Sequence, residues 1–417
     1  MWAVTALVSL FNPPKEGRPV RSSRVAVLPF AVLVLVATGC SSSSKSANST
    51  TTSSTSAGST TGVPASASTT SPSSSPFLAT LSTVSPIGST VPANGDVNPY
   101  GLAIVAASSG KLVAGDMLVS NFNSKANVQG TGTTLVQVSP KGSLQLFADL
   151  SHLPANDSCP GGVGLSTARA ILPGGWVVVG SLPTGPGGAL PTPDPVGCLI
   201  VLNNAGTPVE TITNANIVGP WDMATTSTPT SASLFISNAL GGNTSTNNGV
   251  PVAGNCTVVR VDLTLSATAP PKVAGTTVIG SAFPWKADKT ALVLAPTGLA
   301  LGTNGTLYVD DTETNSISAI PNAATRTTAM TAAATQILSG GGLNAPLGMV
   351  AAPNGDLIVV NGNDGNATEV TPAGTAVAHK TLIKNGAGDL FGLAVTPTGN
   401  GIVFVNDGAN TLNQYHA

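Results

Sequence analysis

The chain has 417 residues, of which only 8% are charged and 41% are apolar, and its formal net charge is −2. That balance excludes a basic footprint for nucleic acid and an acidic tail, and it leaves Ser, Thr and Asn to solvate the surface. Past residue 40 no stretch carries a helical period, while short β-branched runs bounded by Gly, Pro and Asn recur throughout, so the sequence predicts an all-β fold.

Lys15, Arg18, Arg21 and Arg24 precede the apolar run VAVLPFAVLVLV (25–36), which is followed at once by ATGC. The run falls short of the roughly 17 to 25 residues that span a bilayer, and residues 1–39 read as a secretory signal. Ala37, Thr38 and Gly39 suit a peptidase that cuts before a cysteine. The stretch resembles a bacterial lipobox, although Ala37 stands where that family prefers Leu. The resemblance implies that Cys40 becomes a lipidated first residue. The alternatives are an ordinary cleaved signal or an uncleaved anchor. Acyl chains on Cys40, at about 0.8 kcal/mol per buried methylene, would hold the protein on a bacterial cell membrane or outer membrane without crossing it. Residues 40–76 are almost wholly Ser, Thr, Ala and Gly, with too little apolar surface to offset the entropy of ordering, and read as a flexible tether.

From 77 to 417 the composition shifts to Val, Leu, Ile, Gly and Thr, and a unit repeats. Its copies are NPYGLAIVAASSGKLVAGDMLVSN (98–121), GVGLSTARAILPGGWVVVGS (162–181), GPWDMATTSTPTSASLFISN (219–238), APTGLALGTNGTLYVDD (295–311), APLGMVAAPNGDLIVVNGND (345–364) and LFGLAVTPTGNGIVFVNDG (390–408). Each gives a short apolar strand, a turn, a β-branched strand and a polar exit, and most are followed by third and fourth strands such as TTLVQVSP and SLQLFADL. Four strands per unit and six units predict a six-bladed β-propeller, in which each sheet buries both faces between two neighbours. The last unit has only three strands, so FLATLSTV (77–84) is expected to supply the missing outer one and close the ring. The units resemble NHL-type repeats, most clearly at 295–320 and 345–370. That resemblance implies the six-bladed fold and transfers no catalytic residue, and the charged residue the family often carries before its third strand is absent.

Propeller topology puts the starts of inner strands and the ends of second strands on one face. The longest insertions, 182–198 and 239–256, follow second strands and are expected to rise above that face beside a long loop at 273–291. Cys159, Cys198 and Cys256 lie in or beside these loops. Three cysteines cannot all pair, and Cys159 with Cys198, nearest in sequence, is the favoured disulfide. Asp222 breaks the repeat where other units carry Gly101, Gly164, Gly298, Gly348 and Gly392. Its carboxylate is either a ligand group for a cation or sugar hydroxyl, or a cap on its own turn. Tyr100, Trp221 and Trp285 are placed on the same face, as core or as a stacking platform for a ligand.

Second-strand exits present Asn121, Ser181, Asn238, Asp310, Asp311, Asn361, Asn406 and Asp407. These are either turn residues bonding their own backbone or oxygen donors for Ca²⁺ or another divalent cation. A resemblance to propeller lactonases implies a metal set drawn from Asp222, Asn238, Asp310, Asn361 and Asp407. NGNDGN (361–366) lacks the alternation and terminal Glu of a calcium loop. His152, His379 and His416 have no ligand or triad spacing, and no G-x-S-x-G elbow occurs. The sequence therefore favours a monomeric, membrane-anchored, extracytoplasmic module that binds a protein, peptide or glycan. A metal-dependent hydrolase or lactonase and a structural envelope protein are the alternatives.

Overall fold

The computed structural model describes residues 75–154, 159–190, 196–241 and 252–417, of which 252–255 are described for backbone alone. Cys40, the signal, almost all of the tether and the tips of both long insertions lie outside them. Among the described residues no helix is long and apolar enough to cross a membrane.

The described chain is a six-bladed β-propeller. Five blades are built in chain order, with inner strands Val97–Ile104, Arg169–Leu172, Pro220–Thr228, Pro296–Leu301 and Pro346–Ala351, and the sixth starts at Leu390–Val395. Consecutive inner strands touch in a closed cycle, the sixth returning to the first. Second strands such as Leu307–Asp311 and Leu357–Asn361 are buried along their whole length, as expected of sheets sandwiched on both sides.

The repeat has a physical signature at the top of four blades. Pro99, Pro220, Pro296 and Pro346, which have no N–H to donate, pair in register with Asn121, Asn238, Asp311 and Asn361. Proline is tolerated there because a strand can do without a ladder bond at its start, where Pro220, Pro296 and Pro346 stand, or near it, where Pro99 stands. Two residues on, glycine is demanded by the neighbouring blade. A Cβ on Gly101 would lie 2.0 Å from the Thr167 carbonyl oxygen of blade 2, and one on Gly392 would lie 2.2 Å from the Tyr100 carbonyl oxygen of blade 1.

Closure by an N-terminal strand holds, at a shifted position. Residues Phe77–Thr80 form a 3₁₀ turn, and the closing strand is Thr83–Ser89, paired antiparallel with Thr411–His416. The reason is burial: Phe77, Leu78 and Leu81 go inward together, a spacing that fits one helical turn and breaks strand alternation. Blade 3 also departs from expectation. Residues 273–291, expected as a loop, belong mostly to a 17-residue outer strand, Lys272–Asp288, which pairs with the 13-residue strand Val252–Thr264 and with Leu292–Leu294. Ile279, Phe283 and Trp285 drive this by packing inward between bulges of that strand.

Candidate functional site

The channel mouth is filled by aromatic rings. Tyr100 stacks on Phe391, with centroids 4.9 Å apart and planes 22° apart, and meets Trp221 edge-on at 5.5 Å. The Trp221 indole N–H donates to the Tyr100 hydroxyl at 2.7 Å. Both rings are buried, and Trp285 is fully buried among Phe283, Cys256 and Leu292. Of the two readings the sequence left open, core or stacking platform, burial of all three residues matches core; the Tyr100 and Trp221 polar tips satisfy each other, while the Trp285 indole N–H has no partner among the described residues. Beneath the rings the channel keeps a cavity of about 30 Å³, lined by Tyr100, Gly101, Asp222, Gly348 and Gly392. That is about the share of one liquid water.

Asp222 faces this cavity from the glycine position. Its Oδ1 accepts the Met223 N–H and its Oδ2 accepts the Leu299 N–H of blade 4, each at 2.8 Å. The carboxylate therefore staples two blades. Burial pushes it up to about 6, against the pull of those two amides and of Arg169. Arg169, which the sequence reading missed, comes from the inner strand of blade 2 and crosses to blade 1. It donates to the Leu118 carbonyl at 2.8 Å and to the Ser120 hydroxyl. Burial draws it down to about 9, and Asp222 holds it up. No repeat pattern marks Arg169; a charged residue inside an otherwise apolar inner strand is the signal that could have found it.

Asp310 is the other acid of the axis. Its Oδ1 accepts the Thr297 hydroxyl at 2.5 Å and the Gly298 N–H at 2.6 Å, while Oδ2 is buried with no partner. Burial lifts the group to about 8, with Asp222 and Asp311 adding to the rise. The remaining proposed ligands go elsewhere. Asn238 accepts from Val218 and Gly219 and donates to the Asn216 carbonyl. Asn361 donates to the Gly342 carbonyl at 2.8 Å. Asp407, raised to about 7 by burial and by Asp389, belongs to blade 6. Of the five, only Asp222 and Asp310 come within electrostatic reach of each other. Among the described residues no three His, Cys, Asp or Glu converge on one point.

A larger space lies above the loop face. A groove of about 360 Å³ is lined by Gln129 after the second strand of blade 1, Gly188, Ala189 and Leu190 from the blade 2 insertion, and Ala287, Asp288, Lys289 and Leu292 from the blade 3 hairpin. The Gln129 amide N–H donates to the Thr290 carbonyl at 3.3 Å, and its Oε1 is buried without a partner. Asp288 Oδ1 is taken by the Thr290 and Ala291 amides of its own turn. Leu292 holds φ at +69°, an uncommon conformation for a bulky side chain and one that concentrates at binding sites. Lys289 is exposed at the rim and belongs to neither ion pair of the described residues, Arg260–Asp262 and Lys286–Glu313. A disulfide joins Cys159 to Cys198 and braces the blade 2 insertion at its return. Cys256 is a buried thiol whose ionisation burial pushes up.

The fold and these two features define a six-bladed propeller with a plugged axis and a groove built from the loops of blades 1 to 3. No protein-family model and no curated protein matches the chain. Solved propeller structures are similar to it. A gluconolactonase from Xanthomonas campestris is 11% identical, over 80% of this chain and 89% of that one, with a TM-score of 0.49. An aldose sugar dehydrogenase from Streptomyces coelicolor with bound PQQ is 12% identical, over 80% and 98%, with a TM-score of 0.48. A virginiamycin B lyase from Staphylococcus aureus with quinupristin is 12% identical, over 80% and 99%, with a TM-score of 0.42. At these identities no residue or activity carries over.

Proposed function

We propose that the protein is an exported, lipid-anchored binding module, held at the membrane through Cys40, that captures a short apolar peptide bearing a carboxylate in the groove above blades 1 to 3. One observation carries the reading: the larger space lies among the loops, while the space at the axis, where Tyr100, Trp221 and Phe391 meet, is about 30 Å³. Its volume is within the range of about 300 to 1,000 Å³ usual for ligand sites. Leu190 and Leu292 offer an apolar wall, and the exposed Lys289 an ammonium in neither ion pair of the described residues. With no aromatic ring in its lining, the groove suits a peptide better than a sugar, which favours stacking surfaces. Binding by a rigid, disulfide-braced surface requires no chemistry. The hydrolase alternative draws on Asp222, Asp310 and Asp407 with Asn238 or Asn361; both Asp222 oxygens and Asp310 Oδ1 already accept hydrogen bonds, and Asp310 Oδ2 is buried.

The test is a screen of the full mature chain against peptide and glycan arrays, with affinities remeasured for Leu190→Asp and Lys289→Ala. A peptide ligand weakened at least tenfold by each variant, and unaffected by Asp222→Asn, is the expected result. Ligands confined to glycans, or insensitive to both groove variants, would remove the proposal. Mass spectrometry of the amino terminus tests the anchor, which requires acylated Cys40 as the first residue.

A further inference from the structure

Glu369 is one of four glutamates in the chain, and it is fully buried in the third strand of blade 5, Asn366–Val370. Both its oxygens accept hydrogen bonds. Oε1 takes the Phe77 N–H at 2.6 Å and the Asn354 side-chain amide at 2.8 Å, and Oε2 takes the Leu78 N–H at 2.7 Å. Two successive backbone amides from the far end of the sequence are thus gripped by one carboxylate. Phe77, Leu78 and Leu81 then fill the space between blades 5 and 6, against Ile358, Leu390 and Phe404. The Tyr415 hydroxyl donates to the Leu81 carbonyl at 2.7 Å, and the Ser82 N–H to the His416 carbonyl at 2.9 Å. Thr83–Ser89 closes blade 6, and Thr90 hands over to blade 1 by accepting from the Asn121 side chain at 2.8 Å.

We infer that residues 77–89 are a latch holding the ring shut across blades 5, 6 and 1, and that Glu369 is its catch. The strand Thr83–Ser89 is an outer strand beginning close to a Ser/Thr-rich segment, so by itself it would fray from its first residue, as chain ends do unless tied down. The catch stands upstream of that fraying point. Opening that starts at Phe77 meets the two amides bound to Glu369 before it meets any ladder bond of the strand. Charge-assisted bonds are about twice as strong as neutral ones. Releasing them would leave the Phe77 and Leu78 N–H groups buried without partners, so the catch opens only when the whole turn leaves its slot. Asp356, from the same turn as Asn354, stands beside Glu369.

Hydrogen exchange on the full chain tests the latch. Glu369→Gln keeps the shape and loses the function, because its NH₂ must face either the Leu78 N–H or the pair of donors on the other oxygen. Exchange is expected to rise at least tenfold for amides of residues 77–89 and of the partner strand Thr411–His416, and to stay unchanged in Trp176–Ser181 and Ser231–Asn238. Asn354→Ala, which removes one of the three donors, should give a smaller rise in the same segments and covers the case in which Glu369→Gln fails to fold. Unchanged exchange at 77–89 in the folded variants would overturn the inference. So would a uniform rise in all blades, or the same pattern from Glu313→Gln in the distant Lys286 pair.

Discussion

Blades 4 to 6 and blades 1 to 3 solve the same problem differently. In the regular half, every inner strand abuts the next backbone to backbone, as blade 1 also does at Gly101: a Cβ on Gly298, Gly348 or Gly392 would fall 2.8, 2.4 or 2.2 Å from a carbonyl oxygen of the next blade. Small polar links such as the Thr312 hydroxyl to the Pro346 carbonyl, at 2.6 Å, complete the contact. In the elaborated half, side chains cross the seams. Arg169 reaches from blade 2 to blade 1, Asp222 from blade 3 to blade 4, and a disulfide braces the blade 2 loop. Cross-bridges leave the loop ends free to grow, and the groove is built from those loops.

The largest effect should come from the brace. Replacing Cys159 and Cys198 together with Ala is expected to lower stability by about 3 kcal/mol, the usual scale for a bridge closing a loop of this kind. The melting temperature and the groove affinity should both fall. An unchanged melting temperature would mean that the elaborated half holds its loops by packing alone.

Gly392→Ala probes the regular half and should cost about 2 kcal/mol, as overpacking against a fixed backbone does. The control is Gly355→Ala, at a turn with φ +89° and nothing within 4 Å. It carries only the local strain of its backbone, roughly 1 kcal/mol. If the two variants melt together, close approach is not what selects glycine at the inner-strand contact.

The same division explains what the sequence made legible. Six units, four strands per blade and closure from the amino-terminal side follow from turn spacing and apolar runs, because those patterns are local. The Asn residues at second-strand exits were recognisable as turn formers, and Asn238 and Asn361 do bond the backbone of their own blade. What escaped depends on contacts between distant segments. Phe77 and Leu78 look like the start of a strand until Glu369, 291 and 292 residues away, takes their amides. Trp285 looks like a loop aromatic until the blade 3 strand that carries it is seen to run 17 residues. Gly164, read as the counterpart of Gly101, is instead pressed against the Leu182 carbonyl of its own blade. That slip hid Arg169, five residues further on.

The seam between the halves adds a dependence on pH, and burial gives it a sign. Asp222 and Asp310 face each other across blades 3 and 4, with their carboxyls raised to about 6 and about 8 by burial. In the unfolded chain both titrate near pH 4, by the usual aspartate value of about 3.9. Between those limits the folded protein keeps protons that the unfolded chain has released, so unfolding free energy falls as pH rises. The stability associated with the neutral acids is complete below about pH 4 and is lost through about 6 for Asp222 and about 8 for Asp310. Melting temperature should therefore decline from pH 4.5 to pH 8.5. Asp310→Asn should flatten the decline from about pH 4 to about 8, and Asp222→Asn only its part below about pH 6, since each amide keeps the shape and discards the titration. A melting temperature that climbs over this range, or a slope untouched by Asp310→Asn, would show that the axis stays wet enough to ionise both acids freely.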